Sequence, residues 1–166
     1  MAEKIGLKLI GKNYNDLKVI SAYLQDSIVV VGDMVFLKEN KTFIMIVNRF
    51  MWEDAEKGIF RQNKRIRCAV RFEEVLTAKS QNINQKRKNK PLEFLAIKSV
   101  LTHDGNYEIK IFFAGEGIIT VNSEVIEVVM HDLDKPWDVK HIPKHKIWML
   151  IYFVILNKTL WEKVDN

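Results

Sequence analysis

The clearest pattern in the chain is an alternation. Ile66, Cys68, Val70 and Phe72 take every second position, and Arg65, Arg67, Ala69 and Arg71 fill the positions between. Successive side chains of a strand point to opposite faces, so residues 65–72 form a half-buried strand with its arginines outward. A different period comes earlier. Leu17, Ile20 and Leu24 recur three and four apart with Val19 and Tyr23 alongside, which predicts an amphipathic helix over 14–25. Asn13 or Asn15 caps it, because a short side-chain oxygen accepts from the orphan N–H groups of the first turn.

Strand signals dominate elsewhere. Residues 5–11, 28–31, 34–38 and 42–50 are short apolar or β-branched runs, parted by Gly32-Asp33 and by Glu39, Asn40 and Lys41. The 42–50 run is apolar on both faces, so it sits centrally in a sheet. Glu73-Glu74 breaks the 65–72 alternation as a bulge, and a strand resumes at 75–79. Four more strands, over 92–100, 107–113, 117–121 and 124–131, read as a β-meander with glycine turns at 105 and 115–117.

The expected fold is α+β and mainly β. It is an antiparallel sheet of about nine strands, curled or two-layered, with one early helix and an added apolar C-terminal helix. Strands do not alternate with helices, which excludes a doubly wound parallel sheet. Residues 1–145 read as one α+β domain, and 146–166 as an apolar extension.

Composition narrows the functional classes. The chain has 166 residues, 48% of them hydrophobic, enough for one core and too apolar for a disordered chain. Its single cysteine excludes a disulfide framework and a multi-cysteine metal site. The N-terminus lacks the apolar run of a signal peptide, which points to the cytoplasm. The net charge of +5 conceals two blocks. Residues 61–91 carry ten Lys/Arg against two Asp/Glu, and residues 92–134 carry two against eight. An evenly basic nucleic-acid binder has no such division.

Several stretches resemble a family of uncharacterised alphaproteobacterial proteins grouped as a domain of unknown function. They are Leu7-Lys-Leu-Ile; the run Asp16-Leu-Lys-Val-Ile-Ser-Ala-Tyr-Leu-Gln-Asp with Val31, Gly32 and Asp33; Asn48-Arg-Phe-Met-Trp-Glu; Arg71-Phe-Glu-Glu-Val; Phe113-Ala-Gly-Glu-Gly-Ile; and Pro136-Trp. The resemblance spans about residues 7–137. It implies a single-domain cytoplasmic protein with no known activity. The tail after about residue 145 departs from the family pattern.

Two residue groups are candidate sites. Arg65, Arg67 and Arg71 share one strand face, with about 6.6 Å between alternate positions. Lys86, Arg87 and Lys88 extend the basic character. Such guanidinium forks suit an acidic protein partner, or a second copy of the chain. Nucleic acid is less favoured, because the neighbouring aromatic, Phe72, lies on the apolar face. The plain alternative is a solvated face whose arginines pair with acids such as Glu108 or Glu124.

The second group is Asn48, Arg49, Trp52 and Glu53, a polar and aromatic cluster at a strand end. It is either a small-molecule or catalytic pocket or a structural pairing of Arg49 with Glu53 or Asp54. No nucleophile setting accompanies His103-Asp104 or His131-Asp132. Pro143 separates His141 from His145, so they form no metal pair on one helix face. No cofactor or metal signature is present. A non-enzymatic binding module is the better expectation, and an enzyme or small-molecule binder the second.

The tail has its own signature. Residues 147–156 are unbroken apolar, and Trp148, Tyr152 and Trp161 are flanked by lysines. As a helix, 147–161 would be about 22 Å long, short of the ~30 Å hydrocarbon core. It is expected to dock on its own domain or on a second copy, with peripheral membrane contact as the alternative.

Overall fold

A computed structural model describes residues 6–55, 63–133 and 135–140. Eleven strands form one antiparallel sheet that is not closed into a barrel. In chain order the elements are β1 (Lys8–Gly11), α1 (Tyr14–Leu24), β2 (Ile28–Val30), β3 (Met34–Leu37), β4 (Thr42–Phe50), α2 (Trp52–Ala55), β5 (Lys64–Phe72), β6 (Val75–Gln81), β7 (Pro91–Leu101), β8 (Tyr107–Phe113), β9 (Ile118–Ser123), β10 (Val128–Asp132) and β11 (Trp137–Asp138).

The strand order is β1-β10-β5-β4-β2-β7-β8-β9-β6, with β3 also beside β4 and β11 beside β5. The sheet folds over on itself. One buried cluster joins Phe43, Met45, Val70 and Phe72 from its first half to Phe94, Ile111, Phe113 and Val121 from its second. Helix α1 adds Leu17, Ile20, Tyr23 and Leu24 to that core, packing against β1 and β7. Asn13 is the cap: its side-chain oxygen accepts from the backbone N–H of Asp16 at 2.9 Å.

Strand β5 keeps the predicted register. Ile66, Cys68, Val70 and Phe72 are buried, and Arg67 and Arg71 are exposed. Strand β4 lies centrally, along β5 on one side and between β2 and β3 on the other.

Two expectations need correction. Glu73 and Glu74 are a corner rather than a bulge. Glu74 takes a left-handed φ of 54°, and β5 and β6 run on into different halves of the sheet. The meander has three strands, not four: β10 leaves β9 and pairs with β5 and β1. The cause lies at that same corner. Glu124 N–H donates to the Glu74 carbonyl at 3.0 Å, and Glu73 N–H donates to that of Glu127 at 2.9 Å. The buried Ser123 hydroxyl lies 2.9 Å from the Glu73 carbonyl. These bonds carry the chain past the corner into the other half. The C-terminal helix expected over the apolar tail lies outside the described residues.

Candidate functional site

The outer face of the first half-sheet is built by pleat and register. Opposite the buried positions of β5 stand Arg65, Arg67, Ala69 and Arg71. Across β4 they meet Phe50, Asn48, Ile46 and Ile44. Arg71 lies opposite Val129 and Ala69 opposite His131 on β10, while Val35 lies opposite Ile44 from β3. The face is therefore mixed, with guanidiniums among exposed Val35, Leu37, Ile10 and Leu133.

The three arginines have different circumstances. Arg65 is half-buried and committed: its guanidinium donates to the carbonyls of Asn48 at 2.9 Å and Asp26 at 3.1 Å, and stands over the Phe50 ring. Burial pushes its pKa down, opposed by the charges of Asp26 and Glu93. Arg71 reaches Glu73 at 3.6 Å, an exposed pair of little energetic weight. Arg67 makes no ion pair among the described residues. The acids expected to neutralise this face are engaged elsewhere, Glu108 with Lys110 and Glu124 with Lys41.

Lys86, Arg87 and Lys88 stand apart from this row. Their loop is fixed to the β2–β3 corner, where Gly32 N–H donates to the Lys88 carbonyl at 2.8 Å and Arg87 N–H to that of Asn84 at 3.1 Å. Among the described residues no hydrogen bond or ion pair ties it to Arg65, Arg67 or Arg71.

The second candidate group is interior. Arg49 shares the inward face of β4 with Met45 and Val47 and is fully buried. Its Nε and Nη2 donate to the two carboxylate oxygens of Asp132 at 2.7 and 2.6 Å. Its Nη1 and Nη2 reach Glu53 at 2.9 and 2.6 Å, and Nη1 also reaches the Phe50 carbonyl at 3.5 Å. A guanidinium has five N–H donors, and five contacts take them. Burial alone pushes Arg49 down, but the hydrogen bonds and charges of Asp132 and Glu53 outweigh it and hold the group above its usual range.

Asp132 is equally engaged. It also accepts from Leu7 N–H at 2.7 Å, and Leu7 receives the Asp132 N–H in return at 2.9 Å. Trp52 donates its indole N–H to the Gln25 carbonyl at 3.0 Å and stacks edge-on against Phe50. Asn48 faces solvent. The group therefore fastens β4, α2, β10 and the N-terminal turn, and Arg49 keeps no donor for a ligand.

Among the described residues the remaining titratable groups form no convergent set. His131 is exposed while Asp132 points inward, so the pleat separates that pair. Asp104 is held below the usual carboxylate range by the Thr102 hydroxyl and the Asn106 N–H within an exposed turn. Burial, then the charge of Asp132, pushes the Cys68 thiol far up. Among the described residues no group of three or more His, Cys, Asp or Glu could hold a metal ion, and no helix is long and apolar enough to cross a membrane.

Fold and interior together define a mainly β α+β protein whose buried ion pairs fasten a curled antiparallel sheet. The chain belongs to a family of proteins of unknown function, DUF2948, whose model matches residues 7–145. No curated protein and no solved structure matches it.

Proposed function

We propose that this chain is a non-enzymatic cytoplasmic binding module, folded as one domain over 1–145, that engages an acidic protein partner through the outer face of β5. One observation carries the reading. Arg67 and Arg71 project from a central strand, and among the described residues no acid pairs with Arg67, which stands among exposed Val35, Leu37, Ile10 and Leu133. Guanidinium forks among mostly aliphatic side chains, with one exposed aromatic, Trp137 opposite Arg65, suit a protein surface that offers carboxylates beside apolar groups. Nucleic acid would instead call for a row of stacking aromatics. The closed hydrogen bonding of Arg49 argues against the pocket of Asn48, Arg49, Trp52 and Glu53 as an enzyme or small-molecule site.

The test is capture from the native cell by the full chain, with and without nuclease, beside the Arg67→Glu/Arg71→Glu double variant. The expected result is a set of proteins retained despite nuclease and lost by the variant. Equal retention by the variant, or loss on nuclease treatment, overturns the reading.

A further inference from the structure

Among the described residues the far end of β7 is an unpaired sheet edge beside a groove. Strand β2 covers only Pro91, Leu92 and Glu93 of β7, whereas β8 pairs with it as far as Leu101. From Leu95 onward the other side of β7 has no strand among the described residues. Helix α1 lies there instead, and between them runs a groove of about 640 Å³. The helix contributes Tyr14, Lys18, Ser21 and Gln25 to it, one stripe spaced three and four apart.

Which backbone groups face the groove follows from two bonds. Ile97 N–H donates to Ser21 Oγ at 3.0 Å, so it points away from β8. Thr102 N–H donates to the Asn106 carbonyl across the hairpin. In an antiparallel ladder these directions alternate, so Lys98 and Val100 bond to β8, and Ser99 and Leu101 turn their N–H and C=O outward. A side-chain oxygen already takes the place of a strand at Ile97. Among the described residues nothing pairs with the edge at Ser99 and Leu101.

The side chains around this edge are apolar and cationic. Val100 and Leu101 are 64% and 62% exposed, above every other large hydrophobic residue described. Lys18 stands over the Tyr14 ring and Lys98 over the Phe112 ring. Edge lysines oppose pairing with a second copy that brings the same charges, and favour a strand that brings acids.

We propose that this edge is a strand-addition site: an extended segment of a partner protein, alternating apolar and acidic residues, pairs with Ser99 and Leu101 and lies along the α1–β7 groove. Main-chain bonds to the edge supply affinity, while Val100, Leu101 and Tyr14 meet its apolar side chains and Lys18 and Lys98 its carboxylates. The site is separate from the arginine face of β5 and does not depend on that reading.

The probe is a phage-displayed library of random 12-residue peptides panned against the full chain. The expected selection alternates apolar and acidic residues, and the winning peptide, made synthetically, slows amide exchange at Ser99 and Leu101. Ser99→Pro removes an outward N–H and no bond to β8, so it is expected to keep the fold and weaken that peptide at least tenfold. Should proline perturb β7, Lys18→Glu/Lys98→Glu keeps the test: the acidic peptide is expected to bind about tenfold more weakly. Failure to select any peptide, unchanged exchange at Ser99 and Leu101, or full affinity in the lysine variant overturns the proposal. A chain that is dimeric and becomes monomeric with Ser99→Pro overturns it too, by making a second copy the occupant.

Discussion

Arg49 and Asp132 lie 83 residues apart in sequence and meet inside the protein through two parallel N–H···O bonds of 2.7 and 2.6 Å. Neither side chain reaches solvent. A buried carboxylate that loses its guanidinium is left costly and uncompensated, so the fold depends on this pair. Arg49→Met is expected to cost about 3–5 kcal/mol. Arg49→Lys is no remedy, because an ammonium cannot reproduce the fork. Arg49→Met/Asp132→Asn is expected to cost less than its two single changes together, by at least ~1 kcal/mol. Urea unfolding of the four proteins measures this, and simple additivity would contradict the pairing.

Gly6 lies against the same carboxylate. Its φ is +101°, and a Cβ there would stand 2.6 Å from the Cβ of Asp132. Both the backbone conformation and the space require glycine. Gly6→Ala is expected to lower stability by about 1–3 kcal/mol. A melting temperature equal to that of the parent would show that the N-terminal turn does not need its bond to Asp132.

Cys68 faces this region from β5, opposite Asp132 on β10. Burial first, then the charge of Asp132, raises the thiol far above its ordinary 9.0. The sign follows from linkage: the folded protein keeps the proton that the unfolded chain releases. The contribution is complete below pH 9 and declines as pH rises above it, by about 1.4 kcal/mol per unit. Cys68→Ala is expected to lose about 1 kcal/mol near neutrality and to show a shallower alkaline decline than the parent. Parallel decline of both proteins in unfolding measured up to about pH 10.5 would contradict the raised thiol. The native thiol should also resist alkylation until the chain unfolds.

Ser27 is wholly buried, and among the described residues its hydroxyl has no hydrogen-bond partner. An unsatisfied buried hydroxyl costs free energy that an alanine avoids. Ser27→Ala is therefore expected to be neutral or stabilising by up to ~1 kcal/mol. Thermal melts decide it, and a clear loss of stability would mean the hydroxyl is in use.

The loop charges of Lys86, Arg87 and Lys88 are exposed, whereas its backbone bonds hold the corner at Gly32. Changing all three to Ser should shift the melting temperature by less than about 2 °C. A larger fall would place those side chains in the fold itself.

What was legible in the chain was whatever depended on near neighbours. The stripe of Leu17, Ile20 and Leu24 located α1, and the alternation about Cys68 set the register of β5, because both signals repeat within a few residues. The fit between Arg49 and Glu53 was legible for the same reason, being four residues apart on the chain. Asp132 was not: it reaches Arg49 only because β10 crosses the Glu73–Glu74 corner, and the acidic run around it carried no mark of that crossing. The β7 edge was hidden likewise, since 92–100 reads as an ordinary strand and its lack of a neighbour is decided by how short β2 is.

The pairing of β1 with β10, Lys8 opposite His131, bears on how the chain reaches its native state. Of the described strands β1 is made before the others, and it finds its partner only when residues 128–131 have followed. Until then β1 has an open edge and α1 lacks β7 to pack on. Sequence-distant pairings of this kind slow the search for the native state, because loops must close before contacts repay them. During synthesis β1 is a strand without its partner, and chain termination before residue 128 would leave it so permanently.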